Sequence, residues 1–82
     1  MTREEVLKKV IEILMKYSKT DLAPDKITLE TKILDDLKVN SARLVDIVLD
    51  FEDAFNIQVD DADADKVQTV GDGVNLILAK VG

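Results

Sequence analysis

The sequence predicts an all-α fold: a small four-helix bundle of three main helices and one short one, with a long structured loop after the first. Two observations carry this. Apolar residues recur at three- and four-residue spacings over 3–16, 41–55 and 70–81. No alternating stretch is long enough to pair as a strand, since Asn56-Ile57-Gln58-Val59 alternates over only four residues and reads as a loop. At 82 residues the chain makes one domain, 1–82. Its hydrophobic share is 46%, and Tyr17, Phe51 and Phe55 are its only aromatics, so the core should be aliphatic.

The first helix, 3–16, presents Val6, Leu7, Val10, Ile11, Leu14 and Tyr17 on one face, with Ile13 broadening it. Thr2 followed by Glu5 is a capping-box pattern, and Pro24 forbids continuation through the twenties. The stretch 18–39 has no sustained period, yet Leu22, Ile27, Leu29, Ile33, Leu34, Leu37 and Val39 are too many apolar side chains to leave wet. It reads as a loop folded over the bundle, with a short turn near 31–35.

The second helix, 41–55, has a wide apolar face of Leu44, Val45, Ile47, Val48, Phe51, Ala54 and Phe55. Leu49 fits neither face. A short helix over 61–67 has a first turn rich in aspartate, and Thr69 with Asp72 makes a second capping box before Val70, Val74, Ile77, Leu78 and Val81. Gly71 and Gly73 predict a weak start for the last helix, at about 0.8–1 kcal/mol each against alanine.

Charge is unevenly distributed. Residues 1–34 sum to +1 and residues 35–82 to −7, for a net −6. An acidic second half repels phosphate backbones and suits basic protein partners, so nucleic-acid binding is not expected. No cysteine or histidine is present. That excludes a disulfide scaffold, a zinc finger and Ser-His or Cys-His hydrolase chemistry, and no paired carboxylates suggest an independent enzyme. No apolar run spans a bilayer, no stable membrane insertion is expected, and residues 1–16 lack a signal-peptide core, which points to the cytoplasm.

Ser41 is the residue where chemistry is expected. A hydroxyl at a helix start has backbone N–H groups nearby and the positive end of the helix dipole, which stabilises an attached phosphate. The plainer alternative is that Asn40 or Ser41 caps the helix. Along the second helix, Asp46, Asp50 and Asp53 share a stripe, with Glu52 beside it and Asp36 at its approach. Two readings of that stripe stand: a docking face for a basic partner, or an ordinary solvated surface. Asp61, Asp63, Asp65 and Asp72 have the spacing of a calcium-binding EF-hand, but Lys66 holds the position that needs glycine. No specific metal site is expected, only weak divalent binding at Asp60, Asp61, Asp63 and Asp65.

From about Ile27 onward, the chain resembles the acyl and peptidyl carrier protein family. The resemblance lies in Asp35-Asp36-Leu37, then Ser41, then Phe51-Glu52-Asp53-Ala54-Phe55-Asn56-Ile57, then Ala64-Asp65-Lys66-Val67-Gln68-Thr69-Val70-Gly71-Asp72. An amphipathic first helix extends it over nearly the whole chain. The resemblance implies 4'-phosphopantetheine from coenzyme A esterified to Ser41, its terminal thiol bearing an acyl group as a thioester. The protein itself is then a non-catalytic carrier, expected to be monomeric. Its partners are a phosphopantetheinyl transferase and acyl-transferring, ligase or synthase enzymes with basic docking patches. Asp36, Arg43, Asp46, Asp50, Glu52 and Asp53 are the implied docking residues.

The chain departs from the family pattern at four positions. Lys38 replaces the usual glycine, Asn40 the usual aspartate and Ala42 the usual leucine, and Arg43 stands where an acid is common. The less acidic face favours, beside a carrier for general fatty-acid synthesis, the alternative of one dedicated to specialised lipid, polysaccharide or natural-product assembly. Arg43 would repel a common basic partner or recruit an acidic group on a particular one. Val45, Val48, Phe51, Ile57, Ala64, Val67 and Leu78 are candidates to line an acyl-chain space, or are simply core. The alternative function is an unmodified helical adaptor in which Ser41 is only a cap.

Overall fold

The computed structural model describes residues 2–20 and 23–81. Four α-helices follow in order: α1 (Arg3–Tyr17), α2 (Leu44–Phe55), α3 (Asp61–Asp65) and α4 (Val70–Val81). Two short 3-10 turns, Pro24–Lys26 and Ser41–Arg43, lie between α1 and α2. Helix α1 packs on both α2 and α4, which also touch each other. The all-α bundle expected from periodicity is what forms.

Helix α1 starts as its sequence predicts, with the Glu5 amide donating to Thr2 Oγ1 at 3.2 Å. Val6, Val10 and Leu14 are fully buried, and Ile13 nearly so. Helix α4 has a reciprocal cap: the Asp72 amide donates to Thr69 Oγ1, and the Thr69 amide to Asp72 Oδ2, both at 3.1 Å. Both glycines of its first turns are buried. At Gly71 the backbone of Leu29 comes so close that a Cβ would sit 2.8 Å from its carbonyl oxygen.

That approach belongs to a clasp. The amides of Gly71 and Val70 donate to the carbonyls of Leu29 and Thr31, and the Ile33 amide donates to the Gln68 carbonyl, all within 3.0 Å. The other end of the loop is tied to the end of α1, where the Lys19 amide and the Ser18 hydroxyl both donate to the Leu37 carbonyl. Between these ties, Ile27, Ile33, Leu37 and Val39 enter the core. The loop is therefore packed, as its apolar content predicts. Leu34 departs from that prediction and stays exposed, and Leu22 lies outside the described residues.

The expected turn near 31–35 is present, closed by the amides of Asp36 and Leu37 donating to the Lys32 carbonyl. The turn at Pro24 was not predicted. Proline there does more than stop α1, because its fixed φ suits the first position of a helical turn.

Three further expectations need correction. Residues 41–43 form a 3-10 turn rather than the first turn of α2, since the Arg43 amide donates to the Asn40 carbonyl at 2.8 Å. The apolar face of α2 is narrower than predicted, because Val45 and Ala54 are exposed. Helix α3 ends at Asp65, and the chain turns at Lys66 to bury Val67.

Candidate functional site

The site is built where the packed loop delivers the chain into α2. Val39 is buried, and Asn40 is exposed in extended backbone. The Asn40 Oδ1 accepts from the Ala42 amide at 2.9 Å. Asn40 is thus the cap and Ser41 is not, which decides between the two residues the sequence offered for that role. It also corrects the idea of several free amides around Ser41, since those of Ala42 and Arg43 both donate to Asn40.

Ser41 is exposed, and its hydroxyl makes no hydrogen bond among the described residues. The other serine, Ser18, differs: its hydroxyl donates to the Leu37 carbonyl at 3.0 Å and accepts from the Thr20 amide. Beside Ser41 runs a groove of about 230 Å³ between α2 and α3, walled by Val45, Val48, Asp61, Ala64 and Asp65. Three residues predicted to line an acyl space, Val45, Val48 and Ala64, line this groove. Phe51 and Val67 are instead buried in the core, and Ile57 and Leu78 pack against it.

The six candidate docking residues have separate fates. Arg43 Nη1 contacts Asp46 Oδ2 at 3.0 Å across one turn. Asp50 accepts from the Tyr17 hydroxyl at 2.7 Å. Asp36 folds back to accept from the Lys32 amide at 2.8 Å, and Glu52 accepts from the Val59 amide at 3.2 Å. Asp53 is exposed and has no such intrachain partner among the described residues. What the sequence reading missed is apolar: Val45 is 65% and Leu49 52% exposed. Their spacing of four and eight residues from Ser41 was the available signal that all three share a face.

The aspartate cluster does not form an EF-hand. Residues 61–65 are helical, which turns Asp63 away from Asp61 and Asp65, and Asp63 pairs with Lys80 at 3.0 Å. Asp60 caps α3 by accepting from the Asp63 amide, and Asp72 caps α4. Among the described residues, no three acidic groups come together as a metal site.

A serine with an uncommitted hydroxyl at a helix entry, beside a groove with Val45, Val48 and Ala64 along it, fits an attached phosphate-linked arm. The family model described as "Phosphopantetheine attachment site" matches residues 6–77. The acyl carrier protein of Thermotoga maritima is 44% identical over 81 residues, covering 99% of this chain and 98% of that protein. The chain belongs to the acyl carrier protein family. The acyl carrier protein of Petrotoga mobilis is 36% identical, over 99% of this chain and 93% of its own. The solved acyl carrier protein of Enterococcus faecalis superposes with a TM-score of 0.82 at 40% identity, covering 98% of this chain and 99% of that one.

Membership gives the function: a non-catalytic carrier that holds acyl intermediates on a phosphopantetheine arm. It replaces the unmodified-adaptor alternative. No described helix of the carrier is long and apolar enough to cross a membrane.

Proposed function

We propose that Ser41 is the attachment residue of this carrier. The single observation that carries the assignment is the contrast between its two serines. Ser18 is tied into the backbone at the end of α1, whereas the Ser41 hydroxyl is exposed and uncommitted. In the loading step Ser41 Oγ forms a bond to the phosphorus bearing the pantetheine of coenzyme A, the adenosine bisphosphate leaves, and the hydroxyl proton passes to the transferase. The arm, once attached, supplies the thiol that bears the acyl group as a thioester. Asn40 holds the turn that presents Ser41, and Val45, Val48 and Ala64 offer the acyl chain an apolar wall beside it.

Partners dock on the outer face of α2. Val45 and Leu49 supply its apolar centre, and Asp53 and the Arg43–Asp46 pair its charged rim. Phosphopantetheinyl transferase and acyl-transferring, ligase or synthase enzymes with basic patches fit this face.

The test is intact-mass analysis after incubation with coenzyme A and a phosphopantetheinyl transferase. One phosphopantetheinyl group is expected on the wild type and none on Ser41→Ala. Modification that persists in Ser41→Ala and disappears in Ser18→Ala would reject the assignment.

A further inference from the structure

Helix α3 is lightly anchored. None of its five residues is buried. It has the groove beside Ser41 on one flank and, on the other, a second groove of about 250 Å³ against Asp72, Asn75 and Leu76. The helical period divides its aspartates between the two flanks. Asp61 and Asp65, one turn apart, line the groove beside Ser41, and Asp63 projects from the opposite face toward α4. There its Oδ2 lies 3.0 Å from Lys80 Nζ, with both side chains partly shielded from solvent. This is the one ion pair joining α3 to another helix among the described residues.

We propose that the Lys80–Asp63 ion pair is a latch that holds α3 toward α4 and thereby sets how far the groove beside Ser41 opens. The inference follows from what else restrains α3. With no buried side chain of its own, the helix has space on both sides and little apolar contact to resist a shift. A charge contact at the edge of such an element governs its position more than an equal contact would on α1, whose Val6, Val10 and Leu14 are locked in the core. The hydrogen bond to Lys80 holds the Asp63 carboxyl below the usual carboxylate range, against the opposing effect of partial burial. What the groove receives rests on the Ser41 assignment, but the latch does not.

Amide hydrogen exchange and methyl spectra of the full-length chain without an attached arm test the latch. The amides of Ala64, Lys66 and Val67 bond to the carbonyls of Asp60, Asp63 and Ala64, and they report opening of α3. Lys80→Gln and Asp63→Asn should each speed exchange at these amides roughly two- to fivefold, the range expected for a partly exposed ion pair. Both variants should also move the methyl resonances of Val48 and Ala64, while Val10 and Leu14 in α1 keep their exchange rates. Lys80→Arg, which keeps the charge, should exchange as the wild type does. Unchanged rates at the three amides, equal acceleration throughout the chain, or static Val48 and Ala64 methyls would each overturn the proposal. Because no arm is present, failure here leaves Ser41 untouched, and failure of Ser41 modification leaves the latch standing.

Discussion

The Tyr17 hydroxyl, at the end of α1, donates a 2.7 Å hydrogen bond to Asp50 Oδ2 in the middle of α2. The carboxylate that the helix period places on the docking stripe is therefore committed to the neighbouring helix. This hydrogen bond, then partial burial and the negative charges of Asp50 and Asp46, hold the Tyr17 phenol above its ordinary value, against a smaller opposing effect of Arg43. A raised folded-state pKa gives a contribution that is full below the unfolded value near 10 and is lost as pH rises through the folded one. An ultraviolet titration should show Tyr17 ionising later than a free tyrosine, and Asp50→Asn should move it back toward the ordinary value. A wild-type titration indistinguishable from the free amino acid would rule out the linkage.

The two glycines of α4 should respond to alanine with opposite signs. At Gly71 the new Cβ meets the Leu29 carbonyl oxygen at 2.8 Å, and backbone must move. Crowding of that kind costs about 1–3 kcal/mol, which outweighs the roughly 1 kcal/mol gained in helix propensity. At Gly73 the nearest atoms, on Phe51 and Val67, are 3.7 and 3.8 Å away, an ordinary contact distance. Gly73→Ala should stabilise by about 0.5–1 kcal/mol. Urea unfolding of the two variants checks both signs.

Lys38 has a φ of 56°, in the left-handed region where a side chain is strained. It is exposed and three residues before Ser41. Lys38→Gly should raise stability by about 0.5–1 kcal/mol, the relief being partly offset by the freer unfolded chain. Denaturant midpoints at equal slope measure it, and a lower midpoint for the glycine variant would contradict the strain.

Arg43 occupies the Asp46 carboxylate, so a basic partner must compete with it. Arg43→Ala should speed association of such a partner severalfold at low ionic strength, with the gain fading as salt is added. Arg43→Asp with Asn40→Asp should go further and improve elongation by general fatty-acid enzymes, and aspartate at 40 retains the cap. Stopped-flow association and turnover with equally loaded proteins provide the measurement. General enzymes that work equally fast on the wild type would remove the case for a dedicated carrier.

Periodicity made α1 and α4 legible because each buries a single stripe whose residues are local in sequence. The caps Thr2 and Thr69–Asp72 were legible for the same reason. Ser41 stood out through ordered motifs around it, but its free hydroxyl was not visible, because Asn40 and Ser41 are equally plausible caps until the backbone turns. The fate of the carboxylates was hidden more deeply. Asp50 is claimed by Tyr17, and Asp63 by Lys80, from elements distant in the chain. Val45 was misplaced because a β-branched apolar residue on a helix predicts burial, whereas the groove of α3 leaves its side open. Gly71 was misjudged because propensity cannot register the Leu29 backbone lying against it.

The clasp between Leu29, Thr31, Ile33 and the start of α4 joins positions about half the chain apart, and it encloses Ser41, α2 and α3 in one closed circuit. Closing a circuit of that length spends entropy before its contacts repay it. Local helices can therefore form early, while the presentation of Ser41 waits on the last long-range closure. On the ribosome, the closure that frames Ser41 cannot form until the start of α4 has been made.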